Sequence, residues 1–431
     1  MRAPHRCALA RSRRRTLRLA RAGLCVFVAI VFASCDETVH RAVASEGLAA
    51  KACTPQVRTL PDVGRFVSHI RYGGVSVVAS MRFSSPFDTL RRGSVLSVRT
   101  LAGASLAQPS GDFWFLFPRL WGLGDSSMAL VWSEPEPGST DLVMAWLSPK
   151  NSSAVWAAVR NRSGTWDTPV RLLGAGALWM SARFAVGPGD SHRSDCIATA
   201  EYGGGVALVR RVSDAWSWTK VPGANRVDHA VEAVASCLDH HGVLVFLASL
   251  SDQPGVDRNS VHAMTMRENG EWNRPVVLSR QGPRPARELN LLRGLSGEIF
   301  VLWHEPSDDG GSRVRGVESR DAGRSWDSLP TLSTHGSITG LNGTVGADGR
   351  IHVVFEKWDS DEESSHVQLA TLARIWSTVQ PVADSIDAFD AVIVNASADC
   401  REVVFFGSVR AASVAPKLQS FHAAMPPTMV R

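Results

Sequence analysis

A recurring pair of apolar runs organises the chain: a moderately apolar strand, a short turn, then a strongly apolar strand. The second member is the clearer one. It appears as Val75–Ala79, Met128–Trp132, Cys196–Ala200, Val243–Leu247, Ile299–Trp303, Ile351–Phe355 and Glu402–Phe406. Runs of this length and apolarity suit strands buried on both faces, and turn pairs such as Asp348-Gly349 precede several of them. Seven copies predict an all-β, seven-bladed β-propeller, with four-stranded blades set radially. Six blades is the alternative, because the first group is the least regular. The last group supplies three strands, at about 389–397, 402–409 and 417–424. Gln56-Val57-Arg58-Thr59-Leu60 resembles the outer strands Pro169–Leu173 and Pro275–Leu278. It is therefore expected to complete the final blade and close the ring, which removes a pair of exposed edges.

Tryptophan marks the same repeat. Trp166, Trp216, Trp272, Trp326 and Trp376 follow one another at intervals of 50, 56, 54 and 50 residues. Around Trp326 the chain reads Ser319-Arg320-Asp321-Ala322-Gly323-Arg324-Ser325-Trp326, between strand-like runs at Arg313–Val317 and Leu329–Leu332. A hairpin is predicted, in which the Ser and Asp side chains bond nearby N–H groups and Gly323 supplies left-handed backbone. The indole then has a place to pack between neighbouring sheets. This turn resembles the Asp-box repeat of sialidases and many other secreted β-propellers. Asn161–Trp166 and Glu268–Trp272 keep the Gly and Trp of the box without its Ser/Asp pair. The turns at Trp216 and Trp376 keep little but Trp.

Charge is read after the N-terminus is set aside. Arg2, Arg6, Arg11, Arg13, Arg14, Arg15, Arg18 and Arg21 precede an apolar stretch, Ala22–Ala33, that is short for a membrane span. Val31-Phe32-Ala33-Ser34-Cys35 resembles the bacterial lipoprotein signal, which implies lipidation of Cys35; cleavage by an ordinary signal peptidase nearby is the other reading. Ser12–Arg18 also resembles a twin-arginine export signal. The expected division is a signal over 1–34, a tether over 35–52 and one propeller over 53–431. Removing the eight arginines leaves 46 − 8 = 38 basic against 41 acidic residues, so the formal charge moves from +5 to −3. Without a basic stripe, nucleic acid is not an expected partner. A monomer held to the membrane through Cys35 is expected, either periplasmic or at the cell surface. Cys53, Cys196, Cys237 and Cys400 remain for two disulfides. Rim positions suggest pairing Cys196 with Cys237, and Cys53 with Cys400. No Cys-x-x-Cys knuckle is present, and no metal or cofactor is expected.

Candidate chemistry sits where the second strands end, at the face opposite the tryptophan turns: Trp132-Ser133-Glu134-Pro135, Ala200-Glu201-Tyr202, Trp303-His304-Glu305-Pro306 and Phe355-Glu356-Lys357-Trp358. Equivalent carboxylates there would form a partial acidic ring. As catalysts, Glu134, Glu305 or Glu356 would act as an acid pair for glycoside hydrolysis; as structural groups they would bond backbone or arginine. Glu201 and His304 are ligand-binding candidates, with His304 also readable as a solvated rim residue. Arg119, with Arg71, Arg183 and Arg293, is the material for an anion centre or for salt bridges to the Glu ring. Trp121 and Trp358 are read as exposed loop aromatics suited to sugar rings. The sialidase resemblance fails at the chemistry it implies. Those enzymes use three arginines, a nucleophilic Tyr with a Glu partner, and an Asp acid, whereas Tyr72 and Tyr202 lie away from the late blades. Phe117-Pro118-Arg119-Leu120 matches the arginine-bearing element only loosely. Asp359–Glu363 reads as a solvated acidic loop without calcium-loop spacing. The function expected is recognition of a glycan or protein ligand at the cell envelope. A divergent sialidase-like hydrolase and an envelope-complex scaffold are the alternatives.

Overall fold

The computed structural model describes residues 56–60, 65–72, 75–83, 94–100, 104–110, 116–122, 128–135, 153–161, 163–173, 177–179, 198–202, 206–212, 215–221, 230–238, 241–249, 259–267, 270–279, 285–359, 364–382, 386–396, 400–409 and 417–424. All fall in one of the chain's two compact units, Cys53–Arg431. The expected signal and tether, with Cys35, lie outside the described residues.

Among the described residues every regular element is a strand, and the strands form seven antiparallel sheets. The first holds β2 (Arg65–Tyr72), β3 (Val75–Phe83) and β4 (Ser94–Thr100). The second holds β5 (Leu116–Gly122), β6 (Met128–Pro135), β7 (Ser153–Arg160) and β8 (Val170–Leu173). The third holds β9 (Ala177–Trp179), β10 (Ala198–Tyr202), β11 (Val206–Val212) and β12 (Ala215–Lys220). The fourth holds β13 (Ala230–Leu238), β14 (His241–Ser249), β15 (Asn259–Thr265) and β16 (Val276–Val277). The fifth holds β17 (Arg287–Arg293), β18 (Ile299–Pro306), β19 (Ser312–Ser319) and β20 (Asp327–Ser328), with β21 (Leu332–Thr334) also on β19. The sixth holds β22 (Ser337–Val345), β23 (Ile351–Asp359), β24 (Ser364–Leu372) and β25 (Gln380–Pro381).

The seventh sheet joins the two ends of the described chain. Its order is β1 (Gln56–Leu60), β28 (Lys417–Ala424), β27 (Cys400–Val409) and β26 (Ile386–Ala396), with Gln56 opposite His422 and Leu60 opposite Leu418. The N-terminal strand thus completes the last group, as its likeness to outer strands predicts.

Alternation along the second strands explains why they are so apolar. In β18, Ile299, Val301 and Trp303 belong to a core shared with Val243, Val245 and Leu247 of β14. Phe300 and Leu302, between them in sequence, belong to a different core with Ile351, Val353 and Phe355 of β23. Successive side chains point to opposite faces, so one strand fills two interfaces, and its Ile299–Trp303 stretch is apolar throughout. A third core, Val77, Ala79, Leu96 and Val98 against Leu120, Met128, Leu130 and Trp132, joins the first two sheets in the same way. Each such side chain contributes about 1.5–3 kcal/mol by leaving water.

Two strand expectations need adjustment. The run Leu329–Leu332 does not form one outer strand: Pro330 lacks an N–H, and the pairing divides into β20 before it and β21 after it. The third sheet's second strand is described from Ala198, two residues past Cys196.

The first strand of most sheets carries an irregularity near its start. Pairing shifts between Arg65 and Ser68, Leu116 and Arg119, Ala230 and Glu232, Arg287 and Asn290, Ile338 and Gly340, and Phe389 and Val392. An extra residue there bends the strand and re-aims its neighbours. These shifts lie at the sheet ends away from the tryptophan turns.

Candidate functional site

The Asp-box turn forms as its residue types dictate. Ser319 ends β19 with 1% exposure. Its Oγ donates to Asp321 Oδ1 at 2.9 Å and accepts the Gly323 N–H at 2.7 Å. Asp321 accepts from the Ser325 N–H at 2.8 Å and the Ser325 hydroxyl at 2.6 Å. Those two bonds from Ser325 hold the Asp321 carboxyl down at a pKa of about 2. Ala322 and Gly323 are left-handed, at φ 58° and 85°. A Cβ on Gly323 would stand 2.8 Å from Thr265 Cγ2 and 2.9 Å from Val243 Cγ2. Glycine therefore lets the turn close against the fourth sheet, and Trp326 packs on the same core.

The weaker copies use other atoms for the same end. Asn161 lies five residues before Trp166, as Asp321 does before Trp326, and its Oδ1 accepts from the Thr165 N–H at 3.2 Å and hydroxyl at 3.0 Å. Trp166 Nε1 donates to Ala107 O at 2.5 Å, and Trp376 Nε1 donates to Pro330 O at 2.8 Å. Ala107 and Pro330 each precede the sheet of the tryptophan that reaches them, so the indole ties one sheet to the one before.

The opposite end of the sheets carries the candidate ligand groups. Ile299 pairs with Ser319 beside the Asp-box turn, while Glu305 and Pro306 stand at the other end of β18. Glu305 bonds Arg315 Nε of the adjacent strand and is mostly covered, with 13% side-chain exposure. Arg293 is opposite Ile299, at the Asp-box end. The arginine on Glu305 is therefore Arg315 of the same sheet, which sequence reasoning did not single out.

The acidic ring of equivalent positions is not what the register gives. Trp303 and Phe355 occupy matching places, each facing the sheet before. Glu305 is two residues past Trp303, but Glu356 is one past Phe355. With a period of two, they fall on opposite faces of their sheets. The position matching Glu356 is that of His304, which is 4% exposed. His304 is therefore a buried residue on the Leu302 side of β18, not a solvated rim residue.

Glu356 is half-buried and lies across Gly340, its cross-strand partner; a Cβ there would meet Cδ, Oε1 and Oε2 at 2.7, 2.8 and 3.0 Å. Trp358 is 41% exposed, two residues further along β23. It sits at a strand end, opposite Ser337 on one side and Ser365 on the other, rather than in a loop. Trp121 is likewise a strand residue, in β5 opposite Ala129. The backbones of Arg119, Glu134 and Glu201 lie in β5, β6 and β10. The side chains of these four, and those of Cys237 and Cys400, lie outside the described residues, as do Cys53, Cys196, Arg183 and residues 360–363. β28 stands between the strand carrying Cys400 and the strand that follows Cys53.

Two further residues join the fifth and sixth sheets. Glu288, at φ 53° inside the irregularity of β17, accepts the Leu341 N–H through Oε2. Asn290, 3% exposed, donates to Leu341 O at 3.1 Å and accepts the Gly343 N–H at 3.2 Å. A buried Asn within Leu289-Asn290-Leu291 was the available signal, since a polar residue in such a run must find partners. Among the described residues, no group of three or more His, Cys, Asp and Glu is arranged to hold a metal ion.

No protein family profile matches the sequence, and no curated protein matches it. Solved structures do. An ulvan lyase, from a new family of polysaccharide lyases and bound to GlcA(1-4)Rha3S, is 11% identical; the likeness covers 84% of this chain and 93% of that one, with a TM-score of 0.50. An α-L-arabinofuranosidase of Fusarium graminearum in complex with arabinobiose is 10% identical over 87% of this chain and 93% of that one, at 0.42. A Trypanosoma rangeli sialidase is 13% identical over 85% of this chain and 58% of that one, at 0.44. All three are β-propellers. At such identities a likeness speaks to fold alone, and the ulvan lyase, at a TM-score of 0.50, sets this all-β chain beside a β-propeller.

Proposed function

We propose that the chain is an exported, lipid-anchored, seven-bladed β-propeller that recognises a glycan at the cell envelope. Support for a ring comes from the seven sheets, from β1 lying in the sheet of β26, and from β2 of the first sheet packing along β26 of the last. Support for anchoring is the arginine-rich, apolar segment ending at Cys35. The observation that carries the binding reading is Trp358. A large aromatic, 41% exposed and on the same face of β23 as Glu356, stands at the end of a strand whose Ile351–Phe355 portion is covered. An exposed indole face suits the C–H face of a sugar ring, and a neighbouring carboxylate accepts from its hydroxyls.

Binding is favoured over hydrolysis by the same geometry. Glu305 and Glu356 do not form a facing pair, and Glu305 is already engaged by Arg315. The test is a glycan array probed with the wild type and with Trp358→Ala. At least one glycan class should bind and be lost in the variant, while thermal unfolding stays unchanged. An empty array, or hits that survive the substitution, would sink this reading.

A further inference from the structure

We infer that the Asp-box end of the fifth and sixth sheets docks on the surface of the bilayer to which Cys35 is anchored; the inference rests on the lipid-anchor reading above and adds an orientation to it. The register shows where the chain enters the fold. Second strands begin at the Asp-box end, as Ile299 opposite Ser319 and Ile351 opposite Leu372 do. In the seventh sheet the second strand, β27, begins at Cys400 opposite Ala424, and β1 begins at Gln56 opposite His422. The chain therefore joins its first strand at the end that corresponds to the Asp-box turns. Cys35 lies 56 − 35 = 21 residues earlier, a length of chain that spans about 70 Å at most. A membrane at the opposite end would require that length to run back along strands such as β23, whose nine residues rise about 30 Å.

The same end carries uncovered apolar side chains. Leu295, in the turn between β17 and β18, is 50% exposed, and Ile375, in the turn between β24 and β25, is 77% exposed. They stand on successive sheets, and Leu295 lies toward the turn between β22 and β23, where a Cβ on Gly349 would be 3.7 Å from its Cδ1. Apolar tips spread over one end of the sheets suit a flat apolar partner, not a ligand that fills a pocket. Arg324 and Arg374 are exposed in the same turns; an arginine stem lies along apolar surface while its guanidinium meets a lipid phosphate. Exposed charges in these turns nearly cancel, with Arg320, Arg324 and Arg374 against Asp321 and Asp327, so the contact is apolar and does not depend on an electrostatic field. Two such side chains would hold a free protein weakly. An anchored protein presents them at the effective concentration that its tether sets, and a lipid chain with a second surface contact is the combination that stable attachment takes.

The experiment places the full-length protein on phosphatidylcholine vesicles that contain a spin-labelled lipid, and reads quenching of a fluorophore attached at Ile375→Cys, at Leu295→Cys or, at the opposite end of the fifth sheet, at Asp308→Cys. Emission from positions 375 and 295 should fall at least ~2-fold, and emission from 308 should stay unchanged. The pattern should be the same at about 0.05 and 0.5 M salt. Adding Ile375→Asp to the protein labelled at 295 should relieve most of the quenching, because a charge in that turn opposes burial in the bilayer. Quenching at 308 in place of 375 would reverse the orientation and overturn the inference. Quenching at 295 that persists in Ile375→Asp, or that vanishes at high salt, would overturn the apolar contact. Protein that floats with the vesicles while no position is quenched would overturn docking and leave the anchor reading in place. Protein that floats no better than Cys35→Ser would remove the anchor reading and this inference with it.

Discussion

The turn before Trp326 and the turn before Trp166 reach one geometry through different chemistry. In both, the residue five before the tryptophan accepts from an N–H and a hydroxyl four residues on: Asp321 from Ser325, Asn161 from Thr165. In both, the backbone carbonyl of that residue accepts from the N–H three residues on, of Arg324 at 3.4 Å and of Gly164 at 3.0 Å. The turn therefore requires a short side chain with an acceptor oxygen, and negative charge is optional. What differs is how each turn meets the sheet before it. A Cβ on Gly323, whose counterpart is Ser163, would meet Val243 and Thr265 of another sheet, whereas the atoms nearest a Cβ on Gly164 would be those of Arg160.

The largest effect expected from breaking this comparison is at the tryptophans. Trp326→Ala removes an indole from a core of twelve buried residues and should cost about 3 kcal/mol in denaturant unfolding. Trp166→Ala should cost a similar amount, since the indole also bonds Ala107. A loss under about 1 kcal/mol at either site would mean the turns do not join the sheets.

The glycines come next. Gly323→Ala combines a left-handed φ with contacts to packed side chains of another sheet, and should cost about 2–3 kcal/mol. Gly164→Ala meets Arg160 Nη2 at 2.9 Å, the far end of a movable side chain, so only the backbone strain of about 1 kcal/mol remains. Equal costs would erase the distinction between a turn that docks and one that merely closes. A smaller contrast separates Ser319→Ala, which leaves the buried Gly323 N–H without its acceptor and should cost about 1–2 kcal/mol, from Ser163→Ala on an exposed turn, at under about 0.5 kcal/mol.

Fold was legible in the sequence wherever burial is two-sided, because the run Ile299–Trp303 has to satisfy two interfaces and leaves an unmistakable apolar block. The strand that joins the ends, Gln56–Leu60, was legible by its likeness to other outer strands. The site was less so. Glu305 and Glu356 look equivalent when aligned on their acids, but the cores align Trp303 with Phe355 and shift the carboxylates onto opposite faces. Period two makes a one-residue misalignment a complete reversal. Asn161 was passed over because it is not Asp, although its five-residue distance to Trp166 was countable. Arg315 on Glu305 and Glu288 on Leu341 depend on side-chain reach between strands, which no spacing in the sequence encodes.

The smallest effect is the sharpest, because it isolates charge from geometry. Ser325 holds the folded-state Asp321 carboxyl at about 2, below its ordinary 3.8. A carboxyl with a depressed folded pKa contributes stability that is complete above its unfolded value and disappears as pH falls through the folded one. The stability advantage of the wild type over Asp321→Asn should accordingly be level above pH ~5 and shrink between pH ~4 and ~2. The second turn has no such group, so Asn161→Ala should lose the same amount at every pH in that window. Asn161→Asp should import the acid dependence, since Thr165 offers the same N–H and hydroxyl that Ser325 offers Asp321. A wild-type advantage that stays flat down to pH ~2 would mean that Asp321, like Asn161, serves as an acceptor oxygen alone.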